Sequence, residues 1–377
     1  MKIAIVGPTW PIRGGIAHYT TQLVNKLREK HDVLFVSYSR QYPQFLFPGR
    51  TQVDDSEERI EAGCERLVSF SNPFSWRKAA RRIARLRPDA LIFSWVNPAL
   101  AVQFRYISGV VKKMSPTTEI VFWCHNVTGH ESRPLEARLT RFAFAHGDKF
   151  IVHGERIKES FEKIDPAARV MVADMPVYDV FAAQAVTRGE ARGALGIDST
   201  SPVVLYFGFV RRYKGLAHLI DAMPAALEIL PDARLLIVGE FWDDVEEYRS
   251  AVSDLGIDGS VIIEDAYVPN ERVAIYFRAA DLVALPYVSA TASGIVQVAY
   301  GFDKPVLTTW VGALPEVVVD GETGYLVPPA DPEALAAAIV DFFTGGRREE
   351  FRANVARHRD RFSWDRFVDR VEKIIDA

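Results

Sequence analysis

The sequence predicts an α/β protein built from two doubly wound parallel-sheet domains. Three observations predict it. At 377 residues the chain is too long for one ordinary hydrophobic core. Short apolar runs, β-branched or aromatic and too brief for helices, alternate with amphipathic helical stretches along its whole length. The pattern also restarts at Val203, where a new strand and a glycine-bearing turn repeat the opening of the chain.

The elements follow in order. Ile3–Val6 reads as a strand, Ile16–Lys30 as an amphipathic helix and Val33–Val36 as a strand. Trp76–Leu86 reads as a helix, Ala90–Phe93 as a strand, Gln103–Lys113 as a helix, and Ile120–Trp123 and Lys149–Val152 as strands. A polar, alanine-rich stretch from Tyr178 to Ser201, bracketed by Pro176 and Pro202, marks the change of domain. Val203–Phe209 is then a strand, Leu216–Leu230 a helix, and Ala233–Val238 and Val261–Glu264 strands. Glu271–Ala280 is a helix, Leu282–Leu285 a strand, Gly294–Tyr300 a helix and Val306–Thr308 a strand. Pro332–Phe343 and Trp364–Ile375 are the late helices. Short apolar strands spaced by helices argue for a parallel sheet with both faces covered.

Composition narrows the class. Hydrophobic residues make up 49% and charged residues 25%, which is the balance of a soluble globular protein. The net charge of -4 hides an asymmetry: residues 1–180 hold 26 lysines and arginines against 19 acids, and the remainder 19 against 30. The first half is therefore expected to meet something anionic, and the absence of any nucleic-acid reader motif disfavours nucleic acid. Cys64 and Cys124 do not make a disulfide framework, so a reducing compartment is expected. The N-terminal stretch is a strand and turn rather than a secretion signal, and no apolar run approaches the length of a membrane span. A cytoplasmic protein, with membrane contact confined to its surface, is the expectation.

Four segments carry candidate chemistry. Tyr206–Gly215, Y-F-G-F-V-R-R-Y-K-G, ends a buried strand with Gly208, then places Arg211 and Lys214 just before a helix opening at Gly215. Two cations at the carboxyl end of a strand, beside free helix amides, form an anion trap. Gly14 and Gly15 directly precede the first helix and let backbone approach a ligand closely; this is not the G-x-G-x-x-G of a dinucleotide fold. His125 follows a strand end in C-H-N-V-T-G-H-E, from which it could reach a cleft, and His153 ends the next strand. Ser293 is a plausible N-cap whose helix would offer the amides of Gly294 and Ile295. The spacing of His125, His130 and Glu131 fits no metal-ligand motif, and no D-x-D pair occurs, so no metal and no bound cofactor are expected.

Together these pieces resemble the retaining glycosyltransferases of family GT4, which have the GT-B fold of two Rossmann-like domains and an inter-domain cleft. The resemblance spans nearly the whole chain. It is strongest in F-G-F-V-R-R-Y-K-G, in Arg278–Pro286, in Lys304–Thr309 and in Gly312–Pro329, G-A-L-P-E-V-V-V-D-G-E-T-G-Y-L-V-P-P. It implies an acceptor-side domain over residues 1–180, a nucleotide-sugar domain over 181–358 and a C-terminal helix over 359–377 that crosses back to the first domain. It further implies transfer of a sugar from a nucleoside diphosphate to an acceptor hydroxyl, with retention and without a metal, the acceptor being a glycan or lipid-linked glycan. By this resemblance Arg211 and Lys214 grip the diphosphate, Gly14 and Gly15 pack on the same phosphates, and His125 touches the sugar. Ser293, Gly294 and Ile295 offer amides to sugar hydroxyls, and Tyr267, Val268 and Pro269 lie beside the base. The chain departs from the family at its paired glutamates, E-x7-E: Thr291 stands at the first and Val298 or Ala299 at the second, and Phe209 replaces the arginine after the turn's first glycine. The alternatives are a nucleotide-sugar-binding protein with altered catalysis, or a nucleotide-sugar epimerase on the same fold.

One further feature stands apart. S-W-R-K-A-A-R-R-I-A-R-L-R-P, residues 75–88, is a basic amphipathic helix with Arg77, Lys78, Arg81, Arg82, Arg85 and Arg87 opposite Trp76, Ala80, Ile83 and Ala84. It is either a solvated surface helix or a contact for an anionic membrane.

Overall fold

The computed structural model describes residues 1–43, 49–125, 134–163 and 165–376. The chain divides into two compact units: one of Met1–Asp55, Arg59–Met175 and Trp364–Ala377, the other of Ser56–Glu58 and Pro176–Ser363.

The first unit runs β1 (Lys2–Val6), α1 (Gly15–Arg28), β2 (Asp32–Arg40), β3 (Glu65–Ser69), α2 (Pro73–Leu86), β4 (Ala90–Trp95), α3 (Ala101–Met114), β5 (Glu119–Cys124), α4 (Pro134–Phe144), β6 (Lys149–Val152), α5 (Glu155–Glu162) and β7 (Val170–Val172). The second runs α6 (Arg188–Ala194), β8 (Val203–Phe207), α7 (Leu216–Ile229), β9 (Arg234–Val238), α8 (Val245–Asp254), β10 (Val261–Glu264), α9 (Asn270–Ala279), β11 (Leu282–Leu285), α10 (Gly294–Gly301), β12 (Val306–Thr309), α11 (Leu314–Val317), β13 (Gly324–Val327), α12 (Pro332–Thr344) and α13 (Arg348–His358). The last helix, α14 (Trp364–Asp376), belongs to the first unit.

Each unit has one parallel sheet. The first is seven-stranded, ordered β3-β2-β1-β4-β5-β6-β7, and the second six-stranded, ordered β10-β9-β8-β11-β12-β13. In each, the opening strand lies inside the sheet, and the chain builds outward first on one side and then on the other. This is the doubly wound order, and its reversal point opens a crevice at the strands' carboxyl ends. The central strands are buried on both faces: every residue of β4 is buried, as is all of β11 and β12. Their continuous apolar runs were legible as strands for that reason.

The strands absent from the sequence reading are β3, β7 and β13, and all three are sheet edges. An edge strand pairs on one side only and can bury less, which weakens the apolar signature of β3 and β7; the fourth edge, β10, still read as a strand from its V-I-I run. β3 buries a single residue fully, and β7 likewise.

Helix α14 is held by a stripe of Phe367, Val368, Val371, Ile374 and Ile375, all buried, at spacings that share one face. The Trp364 ring lies 5.9 Å from Tyr19 of α1, and Phe367 lies 5.4 Å from Trp123 of β5. The Lys149 ammonium donates to the Ile375 carbonyl at 2.9 Å, and His31 meets Glu372 at 2.7 Å. The helix is thus an integral layer of the first unit. Replacing Phe367 with alanine should cost about 3–5 kcal/mol through the cavity left beside Trp123, and chemical denaturation of the variant checks this.

Candidate functional site

In the second unit the reversal point lies between β8 and β11, so the loops after these two strands flank one crevice. The loop after β8 contains Gly208, Arg211 and Lys214; the loop after β11 leads through Tyr287, Thr291 and Ser293 into α10. Backbone contacts lock the two together. The Val288 amide donates to the Tyr213 carbonyl at 2.8 Å. Gly215 has φ +69, and a Cβ there would sit 2.0 Å from the Pro286 carbonyl oxygen. Only glycine permits so close an approach.

Strand β8 ends at Phe207, but the ladder continues irregularly: Gly208 donates to Val238, Val210 to Glu240 and Trp242 to Val210. This explains why the apolar run read as a strand through Phe209. Gly208 has φ +108, and a Cβ there would lie 3.5 Å from Ile295 and 3.7 Å from the Lys214 ammonium. Gly208 and Lys214, from one motif, therefore meet Ile295, from another, at one point.

The two cations differ in character. Lys214 is half-buried, and its ammonium lies 5.8 Å from the centre of the Tyr287 ring. Burial, and to a smaller degree the neighbouring Arg211, push its pKa down from 10.5 to about 8. Arg211 is exposed, with its guanidinium 5.3 Å from the Trp242 ring and 5.7 Å from Tyr213. Trp242 is itself packed on Phe209 at 4.6 Å. The aromatic pair orients the arginine without neutralising it. Sequence reasoning missed Trp242 and Tyr287; each follows a strand end closely, the one signal that could have found them.

Ser293 occupies the N-cap position of α10, but its side chain makes no capping bond; its hydroxyl lies 3.1 Å from the Tyr287 hydroxyl. The first amides of α10, those of Gly294 and Ile295, thus receive nothing from the cap residue, which leaves donors at a partially positive helix end. The Thr291 carbonyl accepts from the Ala313 amide at 2.9 Å, and Gly312, at φ +52, permits this turn. Tyr267 and buried Val268 lie on the loop after edge strand β10. Val298 and Ala299 are both buried in α10, so neither position presents a group to the crevice.

In the first unit, Gly14 is the N-cap of α1 with φ +112, and a side chain at Gly14 or Gly15 would meet open space. Behind this turn lie groups the sequence reading passed over: Arg13, His18 and Asp54 are buried, with His18 Nε2 3.4 Å from the Asp54 carboxylate. His125 is buried and shares a hydrogen bond with Ser94 at 3.1 Å, and Ser94 meets Thr20 at 3.2 Å. Burial, aided by the nearby His153, pushes the His125 pKa well below 6.5. The Trp123 indole donates to His153 Nε2 at 2.9 Å, so Nδ1 carries the proton and donates to the Ala173 carbonyl at 2.9 Å. Burial lowers the His153 pKa to about 4. Both rings are neutral at pH 7 and act as polar groups rather than cations. Asn126, His130 and Glu131 lie outside the described residues.

The fold defines a class: two Rossmann-like units of the GT-B glycosyltransferase architecture. Over nearly their full lengths the chain is similar to HepE of Anabaena, solved with UDP-glucose (TM-score 0.75, 18% identity, 100% of this chain and 98% of that one), and to sucrose-phosphate synthase of Thermosynechococcus elongatus (TM-score 0.71, 19% identity, 99% and 97%). At such identities the likeness concerns fold. More specifically, residues 201–344 match the family described as Glycosyl transferases group 1. The chain is also similar to the D-inositol 3-phosphate glycosyltransferases of Segniliparus rotundus (34% identity over 187 residues, 48% of this chain and 41% of that protein) and Corynebacterium glutamicum (31% over 198 residues, 51% and 47%). The matched stretch spans less than half the length of these curated relatives.

The Gly215–Pro286 approach sets the geometry of the crevice. Gly215→Ala should lower stability by about 2 kcal/mol or more, because it adds both a strained φ and a clash; a thermal melt of the variant against the wild type measures it.

Proposed function

We propose that this protein is a glycosyltransferase that takes a sugar from a nucleoside diphosphate and passes it to an acceptor hydroxyl, with retention and without a metal ion. The observation that carries the reading is the pairing of Lys214 and Arg211 at the reversal point of the second sheet, next to the uncapped amides of α10. A leaving nucleoside diphosphate gains negative charge as the glycosidic bond breaks, and donors already aimed at that charge lower the barrier. Lys214, desolvated before any ligand arrives, interacts with a phosphate strongly. Arg211 supplies a second, permanently charged partner with bidentate geometry. The α10 amides suit sugar hydroxyls, and Tyr267 and Val268 suit the base. Gly14 and Gly15 are assigned to phosphate contact and His125 to the sugar; the open space at the glycines and the neutral ring of His125 support those roles. HepE, of like fold, was solved with UDP-glucose, which supports a nucleotide sugar as donor. The acceptor is proposed to be a glycan or lipid-linked glycan.

A second reading is favoured by one observation. The positions aligned with the family's second glutamate are the buried, apolar Val298 and Ala299, so ribose is not held there by a carboxylate. A nucleotide-sugar-binding protein with altered catalysis fits the same crevice, and turnover assays with a panel of donors and acceptors separate it from a transferase.

Lys214→Ala and Arg211→Ala should each slow transfer on the order of 10²-fold or more; steady-state rates equal to wild type in both variants would remove the assignment. Because the Lys214 ammonium is lost as pH rises through about 8, uridine diphosphate should bind more weakly above that pH than below it. Calorimetric titration on both sides of the midpoint tests this, and Lys214→Arg should abolish the dependence.

A further inference from the structure

The outer surface of the first unit carries a feature that the donor crevice does not use. Helix α2 starts firmly: Pro73 occupies its first turn, the Asn72 side chain accepts from the Phe74 amide, and the Trp76 indole donates to the Ser69 carbonyl at 2.7 Å. Ala79, Ala80, Ile83 and Ala84 are its buried face. The outward face is thereby fixed, and it presents Phe74, Arg77, Lys78, Arg81 and Arg85, spaced so that they form one stripe. A groove of about 430 Å³ runs between this stripe and Leu67 and Glu65 of edge strand β3. Among the described residues, Arg82, at 2.8 Å from Glu65, is the cation of this helix that is ion-paired.

Two observations distinguish this surface from an ordinary solvated one. First, neither α2 nor α3 contains an acidic residue. Solvated faces normally intersperse both signs of charge. Second, large apolar side chains stand out among the cations. Phe74 is 80% exposed, and α2 packs on α3 and α3 on α4, whose Val102 (52%), Tyr106 (38%), Leu135 (65%) and Phe142 (46%) are exposed as well. Arg105 lies 5.7 Å from the Phe142 ring, interleaving charge with aromatic surface across the α3–α4 boundary. Exposed apolar groups on one helical layer mark an interaction surface. Their mixture with unopposed arginines is the chemistry of the interface between anionic headgroups and acyl chains.

We propose that the outer layer of α2, α3 and α4 docks this protein on an anionic lipid bilayer. The cations meet the headgroups, and Phe74 with its apolar neighbours enters the upper acyl region. Binding is peripheral: no helix among the described residues is long and apolar enough to cross a membrane. The proposal does not depend on the transfer reaction, since none of these side chains belongs to the crevice of the second unit.

The test is co-sedimentation of the full chain with two vesicle types, phosphatidylcholine alone and phosphatidylcholine mixed with phosphatidylglycerol. The wild type should pellet with the mixed vesicles and stay in solution with the neutral ones. Arg77→Gln, Lys78→Gln, Arg81→Gln and Arg85→Gln, combined, should release it, each neutralised cation weakening binding about fivefold. Phe74→Ser alone should weaken binding about tenfold, and this loss should persist at high salt, where the charge contribution is screened. All five side chains are exposed, so melting temperatures should stay at the wild-type value and exclude misfolding as the cause. Three results would overturn the proposal: a wild type that pellets with neither vesicle, a quadruple variant that pellets as the wild type does, or a duplex oligonucleotide or inorganic phosphate that strips the wild type from the vesicles at matched ionic strength.

Discussion

The absence of a side chain at Gly215 lets the loop after β8 lie against the loop after β11, and the chemistry of the second unit depends on that approach. A single methyl group there would reach to 2.0 Å from the Pro286 carbonyl. The same economy operates at Gly239, where a Cβ would come within 2.1 Å of the Gly208 carbonyl oxygen. Gly208 itself leaves the space into which the Lys214 ammonium and Ile295 project. Three glycines thus stack three loop backbones closely, and the half-buried Lys214 ammonium is held beside them at the carboxyl end of the sheet. The lowered pKa of Lys214 is the electrostatic record of this packing.

The two cations of the proposed donor site are held in different ways. Lys214 is partly desolvated in the folded chain, so in the proposed site a phosphate meets a smaller desolvation penalty at the moment of binding. Its cost is borne by folding instead: between pH about 8 and the unfolded value of 10.5 the unfolded chain holds a proton that the folded chain lacks, so this group opposes folding most at and below neutral pH and less as pH rises. Arg211 keeps its hydration and its charge, and the rings of Trp242 and Tyr213 limit where it can point. The first unit uses the opposite device. His125 and His153 are buried, and burial keeps both neutral; for His153 it outweighs the Ala173 carbonyl and Asp174, which favour the charged form. The Trp123 donor on His153 Nε2 fixes one tautomer.

How much of this was legible depended on burial and on sequence distance. The central strands showed as apolar runs because both of their faces are covered; at the edges, β10 showed through its V-I-I run, while β3 and β7, each with a single buried residue, did not. The glycine turns and the two cations were visible since each sits within one short segment at a strand end. Ser293 was visible as the residue before α10, but its engagement with Tyr287, six residues earlier, was not. The buried set of Arg13, His18 and Asp54 was invisible for a related reason: the residues are scattered over some forty positions and become neighbours when the segment around Val53 bridges to Ile12. On α2 the stripe of arginines was plain in the sequence, whereas the exposure of Phe74 and of apolar residues on the neighbouring α3 and α4 came from helix packing.

The sequence by itself determined the alternation of strands and helices, the restart at Val203, and the positions of the glycines and cations, because periodicity and backbone freedom are local properties of a chain. The tertiary structure decided which loops touch, how far Lys214 is desolvated, and which apolar residues of α3 and α4 lie exposed beside α2. Those outcomes depend on strand order and on packing between segments far apart in sequence, and no local pattern encodes them.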